Sequence, residues 1–540
     1  MHRITTPEGF PMLTALFWFA AMAIILVTRP LMPVDETRYL AVAWEMWRDG
    51  QFLVPHLNGD TYSHKPPLLF WLMHLGWAVL GVNEWWPRLV APLFALANLL
   101  LMLKVSRMLW PEAPERAWSA SMVLQGCLFW TLFATLTMFD MILTFFTLAG
   151  MAGILKAWRS RTMSGFIALG VAIGFGVLAK GPAILLHVLP AALLAPWWGA
   201  RLKGGPPGGS WGQWYAAIVG AVGFGCAIGL VWAVSAGIEG GEDYRNAIFW
   251  GQSAGRILDS FDHGRPWWWY AVVILPMTLP WALWPRLWRG LANLGRNLRN
   301  GGIRFCLAWF APVFIAFSLI SGKQLHYLLP IFPPLALVIA FAVENTEDRR
   351  LDLLPTGILS FVLGLAILAI PTLAGMLRLP AETDDLAIIW GVALAVWGVG
   401  LVFIPAEGRP RFISLAGTSL VFVIVVHLMA QPYLGARIDM KPLAKHLSVW
   451  EREGYVLGHY GKYHGQFHFL GRLERSLDSI GDGNIDAWLA RTHMGKIITY
   501  QNEVPPAGKP DLIQPFRGKL ITVWDADSVR HDPDLVKRPP

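Results

Sequence analysis

Charged side chains are scarce in this chain. They make up 15% of its 540 residues, whereas hydrophobic residues make up 55%. Soluble domains carry about 25% charged residues, so this composition excludes an ordinary soluble enzyme and indicates a membrane-embedded protein. The 29 tryptophans match the aromatic enrichment expected at membrane surfaces. The net charge of +8 then reflects basic cytoplasmic loops, and we expect no nucleic-acid partner.

Cysteine is also scarce. Cys127, Cys226 and Cys306 each stand alone in an apolar segment, which argues against a disulfide framework and against a zinc cluster of cysteines. The Walker A and HExxH patterns are absent, so ATPase and zincin functions lack support. No small-residue cleavage site follows residues 10–28, so we interpret them as a retained first membrane helix.

Long apolar runs, in contrast, are abundant. Segments near the length of a spanning helix occur at 10–28, 68–82, 89–108, 117–136, 141–157, 164–180, 182–199, 213–236, 268–285, 304–321, 327–344, 354–377, 386–405 and 412–430. If all of them spanned the membrane, several basic clusters would lie outside, against the positive-inside rule. The run at 68–82 is short and begins at two prolines, so we predict an interfacial helix there.

Thirteen spanning helices then remain, and we predict a polytopic all-α membrane protein. With the N-terminus inside, the arginine-rich loops become cytoplasmic. The external segments are predicted at 30–88, 137–140, 237–267, 322–326 and from about 435 onward.

The composition changes near residue 435, where charged residues reappear and apolar runs shorten. We therefore predict a transmembrane domain at 1–434 and a small soluble periplasmic α/β domain at 435–540. Helices are expected at 441–453 and 485–491. Strands are expected at 455–460, 466–470, 496–500 and 519–524.

Two adjacent carboxylates, Asp35 and Glu36, follow the first apolar run. On a helix, neighbouring side chains diverge by about 100°, so the two can serve different partners. A carboxylate at the membrane boundary is a candidate general base toward a hydroxyl or phosphate acceptor. The alternative is a charge at a helix N-terminus with Arg38 as its ion-pair partner.

Asp140 lies between two apolar runs with almost no loop. A carboxylate this close to hydrocarbon is costly unless it is paired, which makes Asp140 a candidate functional residue. Lys180 occupies a similar external hairpin, and for this lysine the structural interpretation is favoured.

The segment His64-Lys65-Pro66-Pro67 holds a lysine at the membrane surface, because the prolines restrict the backbone and start the next helix. Lys65 suits a phosphate, and His64 is a candidate metal ligand. The alternative is a lysine that only snorkels to the interface. Lys323, in another external loop, has the same two interpretations.

The loop 237–267 is rich in charge. Arg256 or Arg265 could bind phosphate, and His263 could complete a metal site with His64. The alternative, which we favour for any single residue here, is a solvated loop.

Taken together, these motifs resemble those of polytopic GT-C glycosyltransferases that use polyprenyl-phosphate sugars. In particular, they resemble the bacterial aminoarabinose lipid A transferase family, which is related to protein O-mannosyltransferases. The resemblance covers about residues 10–345. The segments that carry it are 33–39, 50–59, 65–71, 140, 178–182 and 321–334.

The resemblance implies catalytic roles for Asp35 and Asp140, with Asp35 favoured over its neighbour Glu36. It implies that Lys65 contacts the donor phosphate, with further contacts from arginine and lysine residues of the external loops (Arg256, Arg265, Lys323). It also implies a zinc-type divalent metal shared by His64 and His263.

The implied reaction moves a sugar from undecaprenyl phosphate to lipid A, with inversion and without a nucleotide, at the periplasmic face of the bacterial inner membrane. Other acceptors remain open: O-antigen, another glycolipid, or serine and threonine of a protein. A lipid transporter is the alternative from another class, and it predicts inverted repeats with polar residues near the bilayer midplane.

Overall fold

A computed structural model describes residues 10–251, 264–293, 295, 298–405, 409–505 and 508–536. This part of the chain is mostly helical and carries one five-stranded sheet toward its C-terminal end. The described helices of the first half are α1 Phe10–Thr28, α2 Asp35–Arg48, α3 Leu68–Leu80, α4 Trp85–Leu109, α5 Glu115–Gly126, α6 Leu128–Ala134, α7 Asp140–Ser160, α8 Ser164–Lys180, α9 Ala183–Leu193, α10 Ala195–Gly199, α11 Trp211–Glu239 and α12 Gly241–Asn246.

The second half continues this helical pattern before the sheet begins. Its described helices are α13 Trp269–Met277, α14 Pro285–Leu291, α15 Gly301–Leu319, α16 Phe332–Glu344, α17 Leu354–Leu368, α18 Ile370–Leu377, α19 Trp390–Val402, α20 Arg409–Arg437, α21 Lys441–Arg452, α22 His468–Gly471, α23 Ile485–Arg491 and α24 Ala526–His531. The strands are β1 His56–Leu57, β2 Asp60–Thr61, β3 Val456–Tyr460, β4 Asp478–Ile480, β5 Gly495–Gln501, β6 Leu512–Phe516 and β7 Lys519–Asp525.

Seven helices among the described residues are long and apolar enough to cross a membrane. The number is eight if the bent pair α5 and α6, which meet at 71°, forms one span. Shorter apolar helices occur at Trp18–Thr28, Leu68–Leu80, Ser164–Lys180, Ala183–Leu193 and Trp390–Val402. The protein is therefore a multi-pass membrane protein, while the finer number of thirteen spans and the domain division at 434/435 stay predictions.

Helices α7 and α8 form a tight antiparallel hairpin. A side chain at Gly165 would meet the Gly153 carbonyl oxygen at 2.3 Å, so glycine is needed where the two backbones approach. Because the helices run in opposite directions, the N-terminus of α7 lies beside the C-terminus of α8. This arrangement brings Asp140 and Lys180 together at one end of the hairpin.

The C-terminal sheet has the strand order β4-β3-β5-β7-β6. Strand β3 pairs in parallel with β4 and β5, whereas β7 is antiparallel to both β5 and β6. The helices α21 and α23 lie where the sequence predicts them, and so do three of the predicted strands, β3, β5 and β7. Strands β4 and β6 were not predicted.

The strand predicted at 466–470 is wrong, because this run contains the short helix α22. Gln466 through Phe469 are buried one after another, without the alternation of a half-buried strand. Phe469 stacks on Trp77 of α3 at 5.5 Å, and α22 packs against α21. A short apolar run does not by itself distinguish strand from helix, so packing decided this segment.

Candidate active site

Helix α2 begins at the two carboxylates, and their side chains diverge. Asp35 is exposed, with 52% of its side chain accessible. It forms an ion pair with Arg38 one turn along the helix, and the Tyr39 hydroxyl lies 3.4 Å from the same carboxylate oxygen. This carboxylate is thus open to a ligand on one side and held by a cation on the other.

Glu36 is buried and fully bonded. Arg29 donates to its carboxylate at 2.5 and 3.0 Å, and the backbone N–H groups of Met32 and Thr137 each donate at 2.8 Å. Burial raises the pKa of Glu36, but the Arg29 charge and these hydrogen bonds outweigh it, so the pKa lies below its ordinary value. Glu36 joins the first loop to the segment before α7. Glu36 is therefore enclosed by other protein groups, whereas the predicted catalytic role requires a carboxylate that a substrate can reach.

Asp140 is buried, with 2% of its surface exposed. The Lys180 ammonium lies 2.5 Å from its Oδ1 atom. The pair joins the first residue of α7 to the last residue of α8. The structural interpretation that the sequence favours for Lys180 does not include this pairing with Asp140.

Further polar groups surround this pair. Lys180, His326 and Lys65 lie close enough to Asp140 to act on its carboxylate. The Lys65 ammonium lies 5.7 Å from the centre of the Phe139 ring, and the Lys180 ammonium lies 4.9 Å from that of Tyr327. Four separate segments of the chain thus meet here.

A cavity of about 300 Å³ opens beside Lys180. Its walls are mostly apolar and come from α8, α9 and α11, with His64 and Pro66 from the first loop at its edge. The residues that line it are Ser63, His64, Pro66, Val177, Lys180, Gly181, Pro182, Leu185, Cys226, Gly229, Leu230, Trp232, Ala233, Ile248 and Phe249. A mostly apolar cavity with a lysine in its lining suits an amphiphile that has an anionic head.

Lys323 is 3% exposed, and its ammonium donates to the carbonyl oxygens of Arg265 and Ile320 at 3.0 and 2.5 Å. Burial lowers the pKa of Lys323. The segment is completed by an antiparallel bridge between Gly264 and Gly322, and Arg265 itself is exposed. This arrangement makes Lys323 a link between two loops, which differs from the predicted contact with a donor phosphate.

The predicted metal site is described only in half. His64 is exposed, with its ring 5.3 Å from that of Tyr62. His263 and Arg256 lie outside the described residues. Within the described ranges, no group of three histidine, cysteine or acidic residues could hold a metal ion. The residues in view therefore do not build a metal site, and we derive no step through one.

The C-terminal sheet holds the first loop in place. Asn58 exchanges two hydrogen bonds with the backbone of Leu477, at 2.8 and 2.9 Å. Arg48 donates to the carbonyl of Glu474 at 2.7 Å, and Arg517 donates to the carbonyl of Pro33. The sheet therefore contacts the chain two residues before Asp35, a connection that no motif predicted.

The chain is similar to several known proteins. A family model for dolichyl-phosphate-mannose-protein mannosyltransferases matches residues 64–228, which contain Lys65, Asp140 and Lys180. An undecaprenyl phosphate-alpha-4-amino-4-deoxy-L-arabinose arabinosyl transferase of Pseudomonas fluorescens is 27% identical over 81% of this chain and 81% of its own. Its counterpart from Erwinia tasmaniensis is 27% identical over 74% of this chain and 73% of its own.

Solved structures of ArnT from Cupriavidus metallidurans share the fold. The apo structure superposes with a TM-score of 0.75 over 98% of both chains, at 18% identity. The structure bound to undecaprenyl phosphate gives a TM-score of 0.73 over 95% of this chain and 97% of that one, also at 18% identity.

The matches support a membrane glycosyltransferase that uses lipid-phosphate-linked sugars. The chain shares its fold with ArnT. The resemblance to the aminoarabinose transferase family is confirmed, and it extends over most of the chain.

Proposed function

We propose that this protein transfers 4-amino-4-deoxy-L-arabinose from undecaprenyl phosphate to lipid A at the outer face of the inner membrane. The observation that carries the proposal is the Asp140–Lys180 pair, with Lys65 nearby, beside an apolar-walled cavity. The names of the relatives support the choice of sugar and lipid carrier.

In this proposal the isoprenoid chain of the donor occupies the cavity between α8, α9 and α11. Its phosphate then lies against Lys180, which lines the cavity, and against Lys65, whose chain neighbours His64 and Pro66 line it. Asp140 holds the Lys180 ammonium in position, because a buried carboxylate and an ammonium 2.5 Å apart fix each other. The apolar walls exclude water, which strengthens the attraction between the lysines and the phosphate.

The transfer step forms one bond and breaks one. An acceptor oxygen attacks the anomeric carbon, and the bond from that carbon to the phosphate oxygen breaks. Undecaprenyl phosphate leaves with the electron pair. Lys65 and Lys180 stabilise the negative charge that develops on the leaving phosphate.

Asp35 is the candidate general base of this step. Its exposed carboxylate can take the proton from an acceptor hydroxyl or phosphate. Arg38 forms an ion pair with it. Attack from the face opposite the phosphate predicts inversion at the anomeric carbon. Glu36 takes no part in the chemistry and holds the loop that carries Asp35.

The topology belongs to the same proposal. Thirteen spans with the N-terminus inside would place Asp35, Lys65, Asp140 and Lys323 on one side, together with the C-terminal sheet. The contacts of the sheet with the first loop support a shared side for these two parts.

The test is sugar transfer by the purified full-length protein in detergent, with undecaprenyl-phosphate aminoarabinose and lipid A. The wild type should form the glycolipid, and Asp35→Asn should lose transfer while it still binds the donor. Unchanged transfer by Asp35→Asn would remove Asp35 from the mechanism. Replacing lipid A by an O-antigen glycolipid or a serine/threonine peptide tests the acceptor. Lipid movement across a vesicle membrane without glycoside formation would favour a transporter.

A further inference from the structure

Another cavity, of about 280 Å³ and with mostly polar lining residues, lies between the predicted C-terminal domain and the start of α4. Its lining residues are Glu84, Lys441, Lys445, Ser448, Leu470, Gly471 and Arg472. None of them lines the cavity beside Lys180, so this is a separate site.

One wall of this cavity is a single face of α21. Lys441, Lys445 and Ser448 follow each other at spacings of four and three residues, which places them on the same side of the helix. Lys441 forms an ion pair with Glu84 at 2.8 Å and remains half exposed. The face therefore presents two ammonium groups and a hydroxyl to the cavity.

The lining also includes Arg472, which follows α22 with a left-handed backbone (φ 51°). Its guanidinium lies 5.3 Å from the Trp44 ring and donates to the carbonyl of Phe469. The Trp44 indole is fixed in turn by a 3.0 Å hydrogen bond to Leu473. Arg472 is thus held at the wall by aromatic and backbone contacts.

The charges in this cavity do not cancel. Glu84 is its one lining carboxylate, and it is shared by Lys441 and by Arg88, whose guanidinium lies 3.8 Å away. Within the described ranges, no carboxylate lies within 4 Å of the Lys445 ammonium or the Arg472 guanidinium. The cavity therefore has an excess of positive charge.

The position of the cavity indicates where a compensating anion comes from. Glu84 immediately precedes α4, and Lys441 lies just after α20, so two candidate spans leave the membrane at this point. Trp85 is 46% exposed beside it, as expected for an aromatic anchor at headgroup depth. Basic clusters at this depth attract anionic lipid headgroups.

We propose that this cavity binds the phosphate of an anionic membrane lipid and thereby fixes the C-terminal domain against the membrane surface. Lys445 and Arg472 are the principal ligands, and the site is distinct from the transfer centre.

The test is native mass spectrometry of the full-length protein in a neutral detergent, titrated with dioleoyl phosphatidylglycerol. The variant Lys445→Ala/Arg472→Ala should raise the apparent Kd of the lipid by about tenfold or more, since each surface cation contributes on the order of 1 kcal/mol. The matched control is Lys519→Ala/Arg491→Ala, which removes the same charge from other exposed positions of the domain and should leave the Kd unchanged.

Two further ligands distinguish the sources of binding. Dioleoylglycerol, which has the same chains without a phosphate, should bind poorly; equal binding would overturn the proposal. Binding of inorganic phosphate without binding of the lipid would also overturn it, as would an equal loss in both double variants. Lys445→Gln, at an exposed position, repeats the measurement if the double variant unfolds. Its apparent Kd should rise severalfold, and an unchanged Kd in a folded protein would contradict the proposal.

Discussion

The Lys180 ammonium lies 2.5 Å from a carboxylate oxygen of Asp140, although the two residues are 40 positions apart in the chain. They meet because α7 and α8 form an antiparallel hairpin, in which the two helix backbones are in close contact at Gly153 and Gly165. The buried acid is thus neutralised by the same lysine that we assign to the donor phosphate.

Lys180→Met should lower transfer by at least about a hundredfold, because it removes one cation from the leaving phosphate. It also leaves Asp140 buried without its closest counter-charge. We would measure initial rates with saturating donor. Lys203→Met, at an exposed position near the other end of the hairpin, is the control and should leave the rate unchanged.

The pairing itself can be tested by a double-mutant cycle. Because Asp140 and Lys180 act through each other, the double variant Asp140→Asn/Lys180→Met should raise the activation free energy of transfer by much less than the sum of the two single increases. Strictly additive losses would mean that the two groups act independently.

Glu36→Gln should destabilise the protein by about 3 kcal/mol, since it breaks a buried ion pair. The folded-state pKa of Glu36 lies below 4.5, so its contribution is complete above about pH 4.5 and is lost as the pH falls through the folded-state pKa. As the pH is lowered through this region, the unfolding temperature of the wild type should therefore fall more steeply than that of the variant.

Asp35→Asn is the natural control for this experiment. Its exposed side chain should contribute little to stability, so the unfolding temperature should hardly change while transfer is lost. A pH dependence of Asp35→Asn unlike that of the wild type would argue against Glu36 as the source of the effect.

Asn58→Gly should loosen the contact between the first loop and the C-terminal sheet. Glycine tolerates the left-handed backbone at this position (φ 59°), but it loses both hydrogen bonds to Leu477, at a cost of about 2 kcal/mol. Hydrogen exchange should become faster in 50–62 and in β4. Exchange equal to that of the wild type would show that the loop is held by other contacts.

Lys323→Met should weaken the link between the loops around Arg265 and Ile320 without raising the KM for the donor. Lys65→Met should raise that KM by about tenfold, because Lys65 lies near the Asp140–Lys180 pair. A comparison of KM values for the two variants separates the structural role from phosphate binding. A higher KM for Lys323→Met would restore the role that the sequence predicts for it.

Much of the site could be recognised from residue types alone. Asp140 stands between two apolar runs, and a carboxylate there requires a partner, which the structure supplies. The partner's identity could not be predicted, because a lysine at a helix end has the same sequence pattern whether it snorkels or pairs. The available signal was that Asp140 stands just before one apolar run, that Lys180 ends the next run, and that both positions are predicted on the same side of the membrane.

Local sequence patterns also did not predict burial where contacts with distant parts of the chain determine it. Glu36 and Asp35 are indistinguishable in sequence, yet Glu36 faces Arg29 and Thr137 while Asp35 faces outward. The run at 466–470 packs as a turn of helix because Trp77 of α3 covers it.

The sequence by itself determined that this protein is embedded in a membrane, which polar residues lie at the boundary, and which chemistry they suit. These properties follow from composition and from the spacing of apolar runs, which report local preference for lipid or water. Only the tertiary structure decided that Lys180 forms an ion pair with Asp140, that Glu36 is buried, and that the C-terminal sheet region contacts the first loop. These contacts join residues far apart in the chain, and helix packing sets the distances between them.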